Sequence, residues 1–248
     1  MQFVSGLPQG IYVGQTQIQH QAALPADSEH LQGFNLALHV GDDPKRVQQH
    51  RMILLDEFSV YGVQQLHWLN QIHSTTCYEV DPYHDLAALD GDALITRQAG
   101  QALMIMTADC LSVVLGNHDG TEIANLHAGW RGLANGVIEQ TCKQMKSQAT
   151  WAWLGAAISQ PCFEVGAEVR QAFCEKYPAV ACAFLAGKQP NKYYADLYAI
   201  ARYILQQQGV ELILGGEQCT YKQAQEYYSY RREPKTGRMA TFAFMGNR

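Results

Sequence analysis

The sequence predicts a mixed α+β domain, and three observations carry that expectation. Apolar runs of strand length dominate the middle of the chain, helix-spaced segments interrupt them at uneven intervals, and no repeat or low-complexity tract divides the 248 residues. A doubly wound fold alternates strand and helix regularly. This chain does not, so mixed sheets flanked by helices are expected, with 1–248 as a single domain.

The elements follow in order. The N-terminal region reads as strand pieces and turns. Asp43 suits an N-cap and Pro44 a first helical position, which predicts a helix over 44–56. Segments 63–69 and 75–80 read as strands, and Asp90-Gly91-Asp92 as a turn into a strand over 93–96. The run 103–115 is long and apolar enough for a fully buried strand. Helical spacing recurs over 132–146, 165–177 and 194–208, the last closed by Gly209 as a C-cap glycine, and strands over 212–214 and 240–245 end the chain.

Composition excludes several partners. Hydrophobic residues make up 47% and charged residues 17%, with a net charge of −5, so no basic footprint for nucleic acid or an anionic membrane exists. No stretch approaches the roughly 18 apolar residues of a spanning helix. The N-terminal segment also lacks the basic start and apolar core of a secretory signal, so a cytoplasmic protein is expected. Seven cysteines without a CxxC pair suit reduced thiols, most of them small core residues.

Chemistry concentrates in Thr107-Ala108-Asp109-Cys110, the apolar strand after it, the polar loop Gly116-Asn117-His118-Asp119-Gly120, and a second apolar strand ending in His127-Ala128-Gly129-Trp130-Arg131-Gly132. Two apolar strands around such a loop predict a hairpin with Cys110 opposite or diagonal to His127. Each residue alone also reads as structural: Cys110 as a core thiol, His127 as a histidine hydrogen-bonded beneath a turn. Their pairing, followed by glycines and a helix start that favours an anion, points instead to a site. Two histidines and one cysteine with an open position form a ligand set used by catalytic zinc. The third ligand must come from elsewhere: His73, in Asn70-Gln71-Ile72-His73 at the end of a predicted strand, is the candidate, though spacing alone singles it out only weakly among nine histidines, and His67 lies six residues earlier on a less constrained segment.

These motifs resemble the laccase-domain, polyphenol-oxidase-like family, whose members are now read as purine nucleoside phosphorylases. The likeness continues through Asp92-Ala93-Leu94-Ile95-Thr96, Trp153-Leu154-Gly155, Phe163-Glu164-Val165-Gly166, Cys219-Thr220-Tyr221, Ser229-Tyr230-Arg231-Arg232 and Thr236-Gly237-Arg238-Met239-Ala240, nearly the whole chain in order. The resemblance implies zinc on His73, Cys110 and His127, in a cleft of a fold related to the cytotoxic-necrotizing-factor-like cysteine hydrolases. It implies phosphorolysis of adenosine, inosine, guanosine or methylthioadenosine by inorganic phosphate, with adenosine deamination as a further activity, in a monomer or small homo-oligomer. Asp92, or Asp109, is a candidate to orient a histidine ligand or move a proton. Arg51 and Arg131 are candidates for holding phosphate, with Asn35 as a further substrate-binding candidate. Two departures from the family pattern stand out: Ser74 where glycine is usual, and Gly155-Ala156-Ala157-Ile158-Ser159 where Gly-Pro-Ala-Ile-Gly is usual.

Rival functions use the same residues. A multicopper oxidase acting on phenols commonly needs His-x-His pairs, and none of the nine histidines is so spaced; copper can still occupy a His₂Cys set. A metal-free hydrolase would use Cys110 as nucleophile and His127 as base. A binding module without chemistry is the remaining reading, and reactive groups at the site argue against it.

Overall fold

Two β-sheets lie face to face between helices in the computed structural model of the chain, which describes residues 3–80, 83 and 88–246. The four-stranded sheet runs in the order Ile11–Gln15, Met239–Met245, Gln101–Thr107, Gln65–His67. Alternation along its strands builds the layers. Leu103, Ile105 and Ala243 turn inwards to meet Val114 and Ile123 of the other sheet. Ala102, Met104, Phe242 and Phe244 turn outwards on to Phe34 and on to Leu54 and Phe58 of the helix Pro44–Ser59.

The six-stranded sheet runs Leu212–Gly215, Trp151–Leu154, Leu111–Gly116, Ile123–Ala128, Ala93–Thr96, Cys77–Glu79. Its outer face, including Val113, Leu115 and Leu126, packs on Leu133, Ile138, Phe173, Ile200 and Ile204 from the helices. With both faces of each sheet covered, Gln101–Thr107 and Leu111–Gly116 are buried at every position.

That burial explains one departure from the sequence reading. The apolar run over 103–115 is two strands, because the chain leaves one sheet and enters the other at Ala108-Asp109-Cys110, with Asp109 at φ +96°. The helix expected over 132–146 is likewise two, Trp130–Asn135 and Val137–Gln144, broken where Gly136 takes φ +100°. Helices Ala167–Lys176 and Leu197–Gln207 start later than their spacing predicts, since Glu164–Gly166 and Lys192–Ala195 pair with each other as strands of a small sheet. The Asp43 cap is formed: its side chain accepts from Lys45 N at 3.0 Å.

Polar side chains also line the space between the two sheets. Ser112 Oγ and Thr241 Oγ1 lie 2.6 Å apart, and Asn125 Nδ2 donates to Leu103 O (2.9 Å) and Thr241 O (3.0 Å). His127 shares the parity of Asn125 along its strand, so it points into the same seam at its open end. Among the described residues, no helix is long and apolar enough to cross a membrane.

Candidate metal centre and cleft

The hairpin register is Leu111↔Ala128 and Ser112↔His127, which places Cys110 diagonal to His127 on the inter-sheet face. His73 arrives from a separate loop, after the strand Leu69–Asn70, and sits in the left-handed region at φ +60°. A non-glycine residue held there is strained, and its surroundings must hold it. The buried Asp92 does so. Its Oδ1 accepts from His73 N (3.1 Å), and its Oδ2 accepts from Ile72 N (3.3 Å), Ser74 N (2.5 Å) and Ser74 Oγ (2.8 Å). Ser74, the first departure from the family pattern, thus adds a hydroxyl donor to that carboxylate.

Asp92 Oδ1 also lies 2.8 Å from His127 Nδ1, which orients the ring with Nε2 towards Cys110 and His73. One ligand atom from each of His73, Cys110 and His127 lies within 4.8 Å of the others. The alternative ligand His67 is turned away, its Nε2 2.7 Å from Gln101 Oε1.

These residues fit a metal ion on two counts beyond their identity. His73 Nδ1 is buried with no hydrogen-bond partner, an arrangement that costs about 1–3 kcal/mol unless something else binds the atom. A Cβ added at Gly129 would lie 2.9 Å from His73 Nδ1, 3.1 Å from Cys110 Sγ and 3.2 Å from His127 Nε2, so glycine there keeps the space among the three donors open. Charge points the same way. Burial holds His73 below the ordinary histidine range, aided by the neighbouring His127, leaving a neutral ring with a lone pair to give. Burial alone would also lower His127, but its neighbours Cys110 and Asp92, each hydrogen-bonded to the ring, raise it to about 9.

The three donors open into a cleft of about 430 Å³. Met106, Trp130, Ile158, Phe163 and Tyr230 give it apolar and aromatic walls, Arg131, Arg231 and Arg238 give it positive charge, and His39, lowered by burial and by the nearby Arg238 and Arg51, adds a neutral imidazole. Arg131 lies over the Trp130 ring at 4.4 Å, Arg231 over Phe163 at 5.4 Å and Arg238 over Tyr230 at 5.9 Å. Arg238 reaches the centre because Met239 pairs with Thr107, which sets its C-terminal strand beside the sheet-crossing segment. A larger groove of about 620 Å³, between Gly14–Gln17 and Gly215–Gln218, contains none of the three donors.

Of the sequence-predicted residues, His73, Cys110, His127 and Arg131 meet at this cleft, with Asp92 behind His127. Arg51 and Asn35 are not on its wall. The Arg51 guanidinium donates to Leu36 O (3.0 and 2.8 Å), stacks 4.0 Å from the Trp68 ring and lies behind Met106. Burial lowers it to about 10. Asn35 is consumed in structure: its Oδ1 accepts from Ala37 N (3.1 Å) and Arg238 N (2.9 Å), and its Nδ2 donates to Asp42 Oδ2 (2.8 Å). Asn35 thereby holds the backbone of Arg238 rather than a ligand. His39, Arg231 and Arg238 are the cleft residues to which sequence reasoning gave no role. The two arginines lay within motifs read for resemblance, and a TGR turn before a buried strand was the available signal.

Comparison with known proteins supplies the family. Residues 24–246 match the family described as multi-copper polyphenol oxidoreductase laccase. The purine nucleoside phosphorylase YfiH of Shigella flexneri is 40% identical over 244 residues, covering 96% of this chain and 96% of its own. A protein named adenosine deaminase RL5, from an unknown prokaryotic organism, is 33% identical over 215 residues, covering 81% and 82%. A Neisseria meningitidis crystal structure superposes with a TM-score of 0.90 at 37% identity, covering 100% of this chain and 99% of that one. With nearly its whole length matched and its cleft motifs in order, the chain belongs to the multi-copper polyphenol oxidoreductase laccase family.

Proposed function

We propose that the chain is a cytoplasmic, zinc-dependent purine nucleoside phosphorylase acting on adenosine, inosine, guanosine or methylthioadenosine. One observation carries the reading: a three-donor His–Cys–His centre shares a cleft with arginines and with aromatic faces. Relatives bearing that enzyme name at 40% identity support it. His73, Cys110 and His127 hold the ion, and the chemistry zinc supplies there when bound is Lewis-acid polarisation of an adjacent oxygen.

The chain's own residues do the rest. Arg131 and Arg238 bind inorganic phosphate through the planar fork that suits its oxygens. Tyr230, Phe163 and Trp130 offer faces to the purine. Arg51 and Asn35 act from behind the wall, keeping Leu36 and Arg238 in place. In the reaction a phosphate oxygen bonds to C1′ as the glycosidic bond breaks, the electron pair leaves with the purine, and the base takes a proton. Asp92 fixes the His127 ring throughout. Incubating zinc-loaded protein with a nucleoside panel, with and without phosphate, tests the reading. Phosphate-dependent release of free base, lost in His73→Ala, is expected; no base release under any condition overturns it.

Adenosine deamination is the second reading, supported by the relative named for it. Its signature is ammonia released from adenosine without phosphate. The copper and metal-free readings separate by metal analysis. The partnerless Nδ1 of His73 favours a metal over a Cys110–His127 hydrolase, which has no use for a third donor.

A further inference from the structure

Two other thiols sit beside the cleft. Cys162 closes a short helical turn, Gln160–Cys162, its amide donating to Ser159 O at 2.9 Å. Cys219 is bridged to Ala157 in a parallel pairing, and the next residue, Thr220, donates from its amide to Ala157 O at 3.1 Å. Ser159 joins the two: its Oγ and N donate to Cys219 Sγ at 2.9 and 3.4 Å. The Cys162 thiol hydrogen-bonds to Cys219 in turn, so the two sulfurs are neighbours although both are free. Ser159 is the second departure from the family pattern, and its hydroxyl here serves a sulfur.

We propose that Cys162 and Cys219 are a redox-sensitive dithiol, closing to a reversible disulfide when a hydroperoxide reaches the protein. The two sulfurs have unequal roles. Burial alone would push the Cys219 thiol up, but the donors from Ser159 and from the amides of Lys222 and Tyr221 hold it below the ordinary thiol value. Burial and the charge on Cys219 push Cys162 up. Cys219 is buried and Cys162 half-buried, and the Ser159 hydroxyl and amide aimed at the Cys219 sulfur assign it as the attacking thiolate, with Cys162 as the resolving thiol. Elsewhere, burial raises Cys77 to about 12 and Cys142 to about 11, which makes them poor nucleophiles.

The chemistry balances with the peroxide as oxidant. The Cys219 thiolate attacks one peroxide oxygen, forming an S–O bond as the O–O bond breaks and hydroxide departs. Hydroxide takes the Cys162 proton to give water. The Cys162 thiolate then attacks the Cys219 sulfur, forming S–S and expelling a second hydroxide. One thiolate, one thiol and one peroxide become one disulfide, one water and one hydroxide.

Closure has a route to the cleft. A disulfide needs about 2.05 Å between sulfurs, so the two side chains must draw together and any backbone adjustment falls on the segments that carry them. One carries Phe163, a cleft wall. The other carries Thr220, whose Oγ1 donates to Asp109 Oδ1 at 2.6 Å, immediately before Cys110.

The test needs no substrate and therefore stands or falls apart from the proposed reaction. The purified protein is treated with limiting hydrogen peroxide, alkylated, digested without reductant and mapped by mass spectrometry. Loss of two of the seven thiols is expected, recovered as one Cys162–Cys219 linked peptide that dithiothreitol releases. In Cys162→Ser the linkage vanishes and Cys219 advances to the sulfinic acid, which dithiothreitol does not reverse. Ser159→Ala keeps the pair but slows linkage several-fold, because the thiolate loses its hydroxyl donor. The proposal is overturned if Cys110 is oxidised while Cys162 and Cys219 still alkylate, or if Cys219 overoxidises equally fast with Cys162 present.

Discussion

The two ends of the hairpin formed by Leu111–Gly116 and Ile123–Ala128 treat buried polar groups in opposite ways. At the closed end, Asn117 Oδ1 accepts the amides of Thr121 (2.9 Å) and Glu122 (3.2 Å). The buried Glu122 accepts from Lys146 N (3.0 Å), Ser147 N (2.8 Å), Ser147 Oγ and Arg97 Nη1 (3.3 Å). Both of its oxygens are satisfied from within the protein. At the open end, Asp92 is just as fully engaged, yet the donor cluster it supports is not: His73 Nδ1 has no partner, and His73 and Asp109 keep positive φ. A structural network saturates itself. A site spends its second layer on orientation and leaves the first layer incomplete.

The largest way to break that contrast is Asp92→Ala. It strips the acceptor from the backbone of Ile72, His73 and Ser74 and from His127, so we expect a loss of about 3 kcal/mol or more in denaturant unfolding. Metal affinity, followed by zinc titration against a chromophoric chelator, should fall by about 10–100-fold in any Asp92→Asn protein that folds. Gly129→Ala sharpens the contrast more finely. The added Cβ occupies the space among the three donors at an ordinary helix-cap backbone (φ −58°), so zinc occupancy should drop by at least about tenfold. The same crowding should cost the metal-free protein about 1–3 kcal/mol in thermal unfolding, and equal zinc binding by the folded variant would contradict the assigned pocket. Arg238→Met keeps the stem and removes the charge; about tenfold weaker phosphate dependence is expected, near 1.4 kcal/mol, with the kcat at saturating phosphate less affected.

The smallest effect belongs to the closed end. Burial alone would raise Glu122, but its donors, Ser147 first, hold the folded carboxyl below the ordinary value of 4.5. Its contribution is then complete above 4.5 and is lost as pH falls through the lower folded value. Glu122→Gln should therefore unfold at lower denaturant than the parent at pH 7, by about 1 kcal/mol, and converge with it in acid. A gap that persists unchanged to low pH would mean that shape, not charge, is what Glu122 supplies.

Much of this was legible in the residues. Hairpin arithmetic placed Cys110 with His127 because both strands are local and their side chains alternate. The helix at Pro44 was announced by its cap. What failed was long range. A strand buried on both faces has no alternation, so 103–115 could not reveal the sheet change at Asp109. Arg51 read as a phosphate-binding candidate and Arg238 only as part of the motif over 236–240; the pairing of Met239 with Thr107 brings Arg238 to the cleft, and the Leu36 carbonyl and Trp68 ring hold Arg51 behind it.

The polar seam has one more consequence. His127 belongs to the six-stranded sheet and Cys110 immediately precedes its strand Leu111–Gly116, whereas Arg238 immediately precedes the strand Met239–Met245 of the four-stranded one. The Ser112–Thr241 contact and the two bonds from Asn125 therefore act as a caliper between the sheets, fixing the span from the donor pole to the arginine before any ligand arrives. The gap between donors and arginine is thus set by the fold itself, with little ordering left to be done on binding. Substitutions in this seam, far from the ligand, will retune that gap.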